Sequence, residues 1–134
     1  MSLSVASREK LSLCVPALAR LVIAASDGID RGALSPLAPL VRDITVVCTF
    51  RGQEAQDAAF AAGRSKKPWP TSGHNTMPVR AVDLAPYPLD YPGWEENPAP
   101  LWILQGYVRA LAFHMGVRLK PAIPWDAPHY ELAP

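Results

Sequence analysis

The chain has 134 residues, of which 49% are hydrophobic and 19% charged, and its formal net charge is +1. That length suits one domain with its own core, and the composition is globular, neither disordered nor membrane-spanning. Near-neutral charge argues against nucleic acid as the main partner, since neutralising phosphates needs a basic surface. The densest basic run, Arg64-Ser65-Lys66-Lys67, reads as a solvated loop. Cys14 and Cys48 form no Cys-x-x-Cys pair and lie in apolar stretches. They read as buried free thiols in a reducing compartment rather than as a disulfide or metal ligands.

In chain order, Ser7 is placed to cap a first helix over residues 8–25, with Pro16 set to kink or split it. Arg8 and Lys10 before an apolar stretch imitate a signal peptide. However, Arg20 interrupts that stretch, Leu11, Val15, Leu18, Leu21 and Ala25 recur at helical spacing, and no run approaches the ~18 apolar residues of a membrane span. An amphipathic core helix without export signal or membrane insertion is expected. Ser26-Asp27-Gly28 should end it, and Gly32 to Pro39 should form a loop or short helical turn. Ile44 to Phe50 is rich in β-branched residues and is the strongest strand signal. Gln53 to Ala62 predicts a helix with Gly63 as its C-terminal cap. Twelve of the fifteen prolines follow position 67, so fixed loops between short elements should dominate the second half. Ala81 to Ala85 predicts a short strand, Leu101 to Met115 a helix stopping at Gly116, and Val117–Leu119 and His129–Leu132 closing strands. Helices and short strands mix without βαβ alternation, which predicts a single α+β domain over residues 1–134 with a small antiparallel sheet flanked by helices.

The chain has only three histidines, and two lie in segments that also carry aspartates. His74, Asp83 and His129 are candidate metal ligands: a hydrolytic zinc site uses three protein ligands and leaves a fourth position for water. Asp126 stands three residues before His129, with Pro128 stiffening the link, and is the candidate general base that would pass a proton to the leaving amine. From spacing alone, a turn-initiating Asp126 and an ordinary strand histidine are equally good readings. Arg51, at the end of the strong strand, could stabilise an oxyanion or bind a substrate carboxylate; a surface salt bridge with Glu54 or Asp57 is the plainer alternative. Ser72 and Trp125 are candidate substrate-binding residues, one a hydrogen-bond donor, the other a wall of the site. His114 reads as a helix-end residue facing the dipole, and Trp94 and Trp102 as packing residues.

Together these segments resemble the zinc peptidase family of VanY-type D,D-carboxypeptidases, VanX-type dipeptidases and phage L-alanyl-D-glutamate endolysins. Phe50-Arg51-Gly52, Ser72-Gly73-His74, Ala81-Val82-Asp83 and Asp126-Ala127-Pro128-His129 carry the resemblance over roughly residues 40 to 132. It is closest to the small endolysin branch, through Arg51-Gly52-Gln53-Glu54-Ala55-Gln56, His74-Asn75, Pro78, and Ala81 to Pro88. The chain departs from many relatives in the nine residues from His74 to Asp83. It also lacks a Trp-Gly-Gly-Asp-Trp element in the stretch 117–125.

The resemblance implies a hedgehog/D,D-peptidase-like fold, a Zn2+ cofactor held by His74, Asp83 and His129, and Asp126 as base. It implies a peptidoglycan stem peptide as substrate, cleaved at the L-alanyl-D-glutamate bond by a monomeric phage or prophage endolysin. With no separate wall-binding module, such a lysin stays in the cytoplasm of an infected or lysogenic bacterium until a holin gives access to the wall. A D-Ala-D-Ala carboxypeptidase or dipeptidase is the second enzymatic expectation. A non-catalytic peptidoglycan-binding or virion domain is the third, favoured by the missing Gly-Gly element and opposed by Asp126.

Overall fold

The computed structural model describes residues 3–37, 40–87 and 96–134; Pro39, Pro88 and Trp94, singled out above, lie outside them. Among the described residues, four helices and three strands form the domain: α1 (Val5–Leu11), α2 (Pro16–Asp30), β1 (Asp43–Cys48), α3 (Gln53–Ala61), β2 (Ala81–Tyr87), α4 (Ala99–Met115) and β3 (His129–Glu131). The strands make one antiparallel sheet in the order β1-β2-β3. The α+β class expected from the sequence is the one observed.

The sheet has one apolar and one polar face because successive side chains on a strand alternate. Ile44 and Val46 of β1, Val82 and Leu84 of β2 and Tyr130 of β3 enter the main core. There they meet Leu18, Leu21, Val22 and Ala25 of α2 and Leu104, Val108 and Ala112 of α4. The alternate positions Asp83, His129 and Glu131 fall on the other face. In the register, Asp83 stands between Cys48 of β1 and His129 of β3. A β-bulge between Val46 and Cys48 shifts the register of β1 there, turning Cys48 into the same row.

Elements that differ from expectation do so for identifiable reasons. The first helix is split, one of the two outcomes that Pro16 predicts: α1 ends at Leu11 and Pro16 opens α2, the position where proline's missing N–H costs least. Between them Val15 N donates to Val79 O and Val79 N to Leu13 O, tying the link to the segment before β2. The cap is Ser4, whose Oγ accepts from Ser7 N. Ser7 is buried, and its hydroxyl accepts from Val46 N in β1. Helix α2 runs through Gly28 to Asp30, and the glycine leaves room for Tyr107, whose hydroxyl donates to Ala25 O: an added Cβ would lie 2.0 Å from the Tyr107 hydroxyl. The segment Gly32 to Pro39 does contain a short turn, a 3-10 helix over Ser35–Leu37. Val117–Leu119 is no strand and contributes a single bridge from Leu119 to Leu132. Trp102 sits at the border of exposure on α4 rather than in the core.

Gly63 and Gly116 follow α3 and α4 with φ of 76° and 71°, the left-handed values a helix-ending glycine adopts without strain. Among the described residues no helix is long and apolar enough to cross a membrane.

Candidate metal centre and active-site cavity

Three of the nominated side chains meet at one point. Asp83 Oδ1 lies 3.1 Å from His129 Nδ1 and 3.3 Å from His74 Nε2, and the two imidazole nitrogens are 3.3 Å apart. Four-coordinate zinc with bonds of ~2.0–2.2 Å keeps its ligand atoms about 3.3–3.6 Å apart. The triangle therefore fits one such ion with little movement.

The far side of each ring is also committed. His74 Nδ1 is 2.7 Å from the Thr49 carbonyl, and His129 Nε2 is 3.0 Å from Glu131 Oε1. Each acceptor calls for an N–H, which leaves His74 Nε2 and His129 Nδ1 as the nitrogens that face Asp83 and that, once deprotonated, could hold a metal. Metal-binding histidines are oriented in this way by a carbonyl or carboxylate behind them.

The fold explains this convergence. Asp83 and His129 are direct partners across β2 and β3. His74 arrives from a 3-10 turn, Gly73–Asn75, whose cap is buried Ser72: its Oγ accepts from His74 N, and Asn75 Oδ1 accepts from Ser72 N. Arg51 N donates to His74 O at 2.7 Å, pinning the turn to the end of β1. Gly73 is a spatial requirement, since a Cβ there would fall 2.7 Å from Glu131 Cδ. Asp126 and His129 form the tight turn inferred from their spacing, with His129 N donating to Asp126 O at 3.2 Å. Gln105 of α4 holds it in place by donating to Ala127 O and His129 O.

Arg51, Ser72, Trp125 and Asp126 line one cavity with His74, Asp83 and His129. Arg51 pairs with neither Glu54 nor Asp57. Its Nη1 donates to Gln56 Oε1 at 3.0 Å, and its Nη2 lies 4.0 Å from Asp83 Oδ2. Gln56, wholly buried, also accepts from Asn75 Nδ2 and donates to Ser65 Oγ and Lys67 O. Trp125 is largely exposed on the rim, and His114 lies on the exposed last turn of α4.

Cys48 is not the isolated apolar thiol expected. It is half-buried, with Sγ 3.8 Å from both His74 Nδ1 and Arg51 Nη2. Cys48, His74 and Asp83 form a second trio, with ligand atoms within 4.8 Å of one another. Sγ faces the ring nitrogen already bonded to Thr49, however, so the trio with His129 needs less rearrangement.

Charge in the cluster is tightly linked. Burial opposes protonation of His74, but hydrogen bonds to Asp83 and Cys48 outweigh it and push its pKa up to about 10. His129 goes to about 9 by the same contest, with Asp83 and Glu131 supplying the attraction. Burial would raise Asp83, yet hydrogen bonds from His129 and His74 hold it well below the carboxylate range. The His129 bond, opposed by burial and helped by Lys120, takes Glu131 down to about 2. Asp126 moves the other way: burial first, then the charge of Asp83, raises it above an ordinary aspartate. For Cys48, burial is outweighed by the bond to His74, and its pKa is lowered.

The chain shares its fold with a solved peptidase. The crystal structure of the L-Ala D-Glu endopeptidase ChiX of Serratia marcescens superposes with a TM-score of 0.69, at 20% sequence identity, over 99% of this chain and 90% of that one. No family model and no curated protein matches the sequence.

Sequence reasoning missed four residues around this site: Glu131, Gln56, Gln105 and Cys48. A faint signal existed for two of them. Glu131 follows His129 by two positions and so shares its strand face, and Gln56 stands in the quoted Arg-Gly-x-x-x-Gln pattern.

Proposed function

We propose that this protein is a zinc-dependent peptidoglycan peptidase that hydrolyses the L-alanyl-D-glutamate bond of stem peptides, as a phage or prophage endolysin would. The observation that carries this reading is the triangle of His74 Nε2, Asp83 Oδ1 and His129 Nδ1, all within 3.3 Å, in a cavity shared with Asp126. The choice of bond follows the sequence resemblance and the likeness in fold to an L-Ala D-Glu endopeptidase.

His74, Asp83 and His129 would hold the metal, and Thr49 O and Glu131 keep the two rings turned toward it. When bound, zinc supplies Lewis acidity, polarising the amide carbonyl and lowering the pKa of a water toward about 7. Asp126 acts as the general base: its raised pKa suits it to accept a proton from the attacking water and return it to the leaving amine. Arg51, aimed into the cavity by Gln56, stabilises the negative charge that develops on the carbonyl oxygen. Ser72 has its oxygen engaged by His74 N, which leaves its hydroxyl proton to donate to substrate.

The deciding experiment is digestion of purified Gram-negative sacculi by the zinc-loaded protein, with and without chelator, read by mass spectrometry. New D-glutamate amino termini that vanish with chelator are expected. Released D-alanine would replace this reading with a carboxypeptidase. No chelator-sensitive product from folded, metal-bound protein would refute a peptidase altogether.

A further inference from the structure

The run Arg64-Ser65-Lys66-Lys67 does not form a loop detached from the site. Arg64, Lys66 and Lys67 line the same cavity as His74, Asp83 and Asp126. The loop is fixed by its backbone: Arg64 N and Ser65 N both donate to Ala59 O, and buried Gln56 donates to Lys67 O at 2.7 Å. Lys66 Nζ sits 5.0 Å from the ring centroid of Trp125, the residue next to Asp126, so the loop reaches the opposite rim.

The three cations form no ion pair with any described residue. Nor do the nearby acids require them: Glu131 is paired with Lys120, Asp83 with the two histidines, and the charges that act on Asp126 in the same cavity are those of Asp83, His129, His74 and Arg51. Positive charge on a fixed loop at the mouth of a cavity, without a carboxylate of its own, attracts an anion from outside. Three charges on a chain of net charge +1 are too few for a polyanion such as nucleic acid. They suit one carboxylate.

We infer that Arg64, Lys66 and Lys67 form an anion-binding wall that receives the free carboxylate of the residue beside the bond cleaved, so that these three side chains set a preference for the free acid over its amide. The inference rests on the peptidase reading and deepens it. It predicts discrimination between two otherwise identical L-alanyl-D-glutamyl peptides, one with the free glutamyl carboxylate and one with that group as a primary amide.

The test compares kcat/KM for both peptides with the zinc-loaded wild type and the double variant Lys66→Gln/Lys67→Gln. The wild type should prefer the free acid by roughly fivefold to tenfold at low salt, less at high salt, and the variant should bring the ratio near one. Equal kcat/KM in the wild type, or a preference that survives in the variant, would overturn the wall and leave the peptidase standing. Cleavage of neither peptide would remove the L-alanyl-D-glutamate endopeptidase reading, and calorimetry with the same peptides would then decide the wall. Tighter binding of the free acid, lost in the double variant, would uphold it; equal binding would overturn it.

Discussion

Glu131 decides which nitrogen of His129 faces Asp83. Its Oε1 takes the Nε2 side of the ring at 3.0 Å, while Oε2 is anchored by Lys120 Nζ at 2.5 Å. Losing such a carboxylate behind a metal-bound imidazole typically weakens metal binding by about 10–100-fold. Glu131→Ala should therefore weaken zinc by that factor in a chelator competition. Gly73→Ala should approach the same result by a different route, since its methyl group would displace the Glu131 carboxylate. Asp126→Asn should behave oppositely, keeping zinc affinity while cutting turnover by about 10²–10⁴-fold. Retention of near-normal turnover would show that Asp126 is not the base. His74, Asp83 and His129 could be nominated from sequence because few residue types bind zinc and histidine is scarce here. Their partners could not, because a Thr49 carbonyl 25 positions from His74 leaves no mark in a sequence. Cys48 is a free thiol, as its sequence suggests, but its apolar neighbours in sequence do not show that the bulge in β1 turns it toward His74 and Arg51.

Elements with a strong local signal were legible: β1 from its β-branched run, α3 from its helix-forming residues and α4 from its periodicity, both with their terminal glycines. Elements shaped by distant partners were not. Gly28 reads locally as a helix stop, but its role is to admit Tyr107 from α4. The same distinction separates Gln56 from the other polar residues of α3. It is buried beneath the site and joins Arg51, Asn75, Ser65 and the Lys67 carbonyl. Replacing it with an apolar residue strands several buried polar groups, each costing about 1–3 kcal/mol when left unpaired. Gln56→Leu should accordingly destabilise the domain by roughly 2–4 kcal/mol in denaturant unfolding and lower kcat/KM through the released Arg51. A stability loss below ~1 kcal/mol would mean that these bonds are readily replaced by water.

At the scale of the molecule, the site is a concentrated set of charges on one face of a sheet whose other face is the core, so protonation and metal binding couple to folding. In the metal-free protein, the hydrogen bonds to Asp83 push the pKa values of His74 and His129 up from 6.5, to about 10 and about 9. A raised pKa stabilises the fold fully below the unfolded value and loses that contribution as pH climbs through the folded value. Ionising Asp126, whose pKa is also raised, acts in the same direction. Asp83 and Glu131 are depressed, so their contributions are present above about 4–4.5 and disappear as pH falls, for Glu131 toward about 2. Without metal, Tm should therefore be highest near pH 5–6.5 and fall steadily toward pH 10. Zinc must displace a proton from each histidine, so its binding strengthens with pH, by up to about a hundredfold per unit while both remain protonated. The rise in Tm on adding zinc should widen between pH 6 and 8, over the same interval in which the metal-free protein weakens. Differential scanning fluorimetry across that range, with and without zinc, measures both trends. A zinc-induced shift that stays constant or shrinks would mean that the metal does not displace these protons, and would remove His74 and His129 as its ligands.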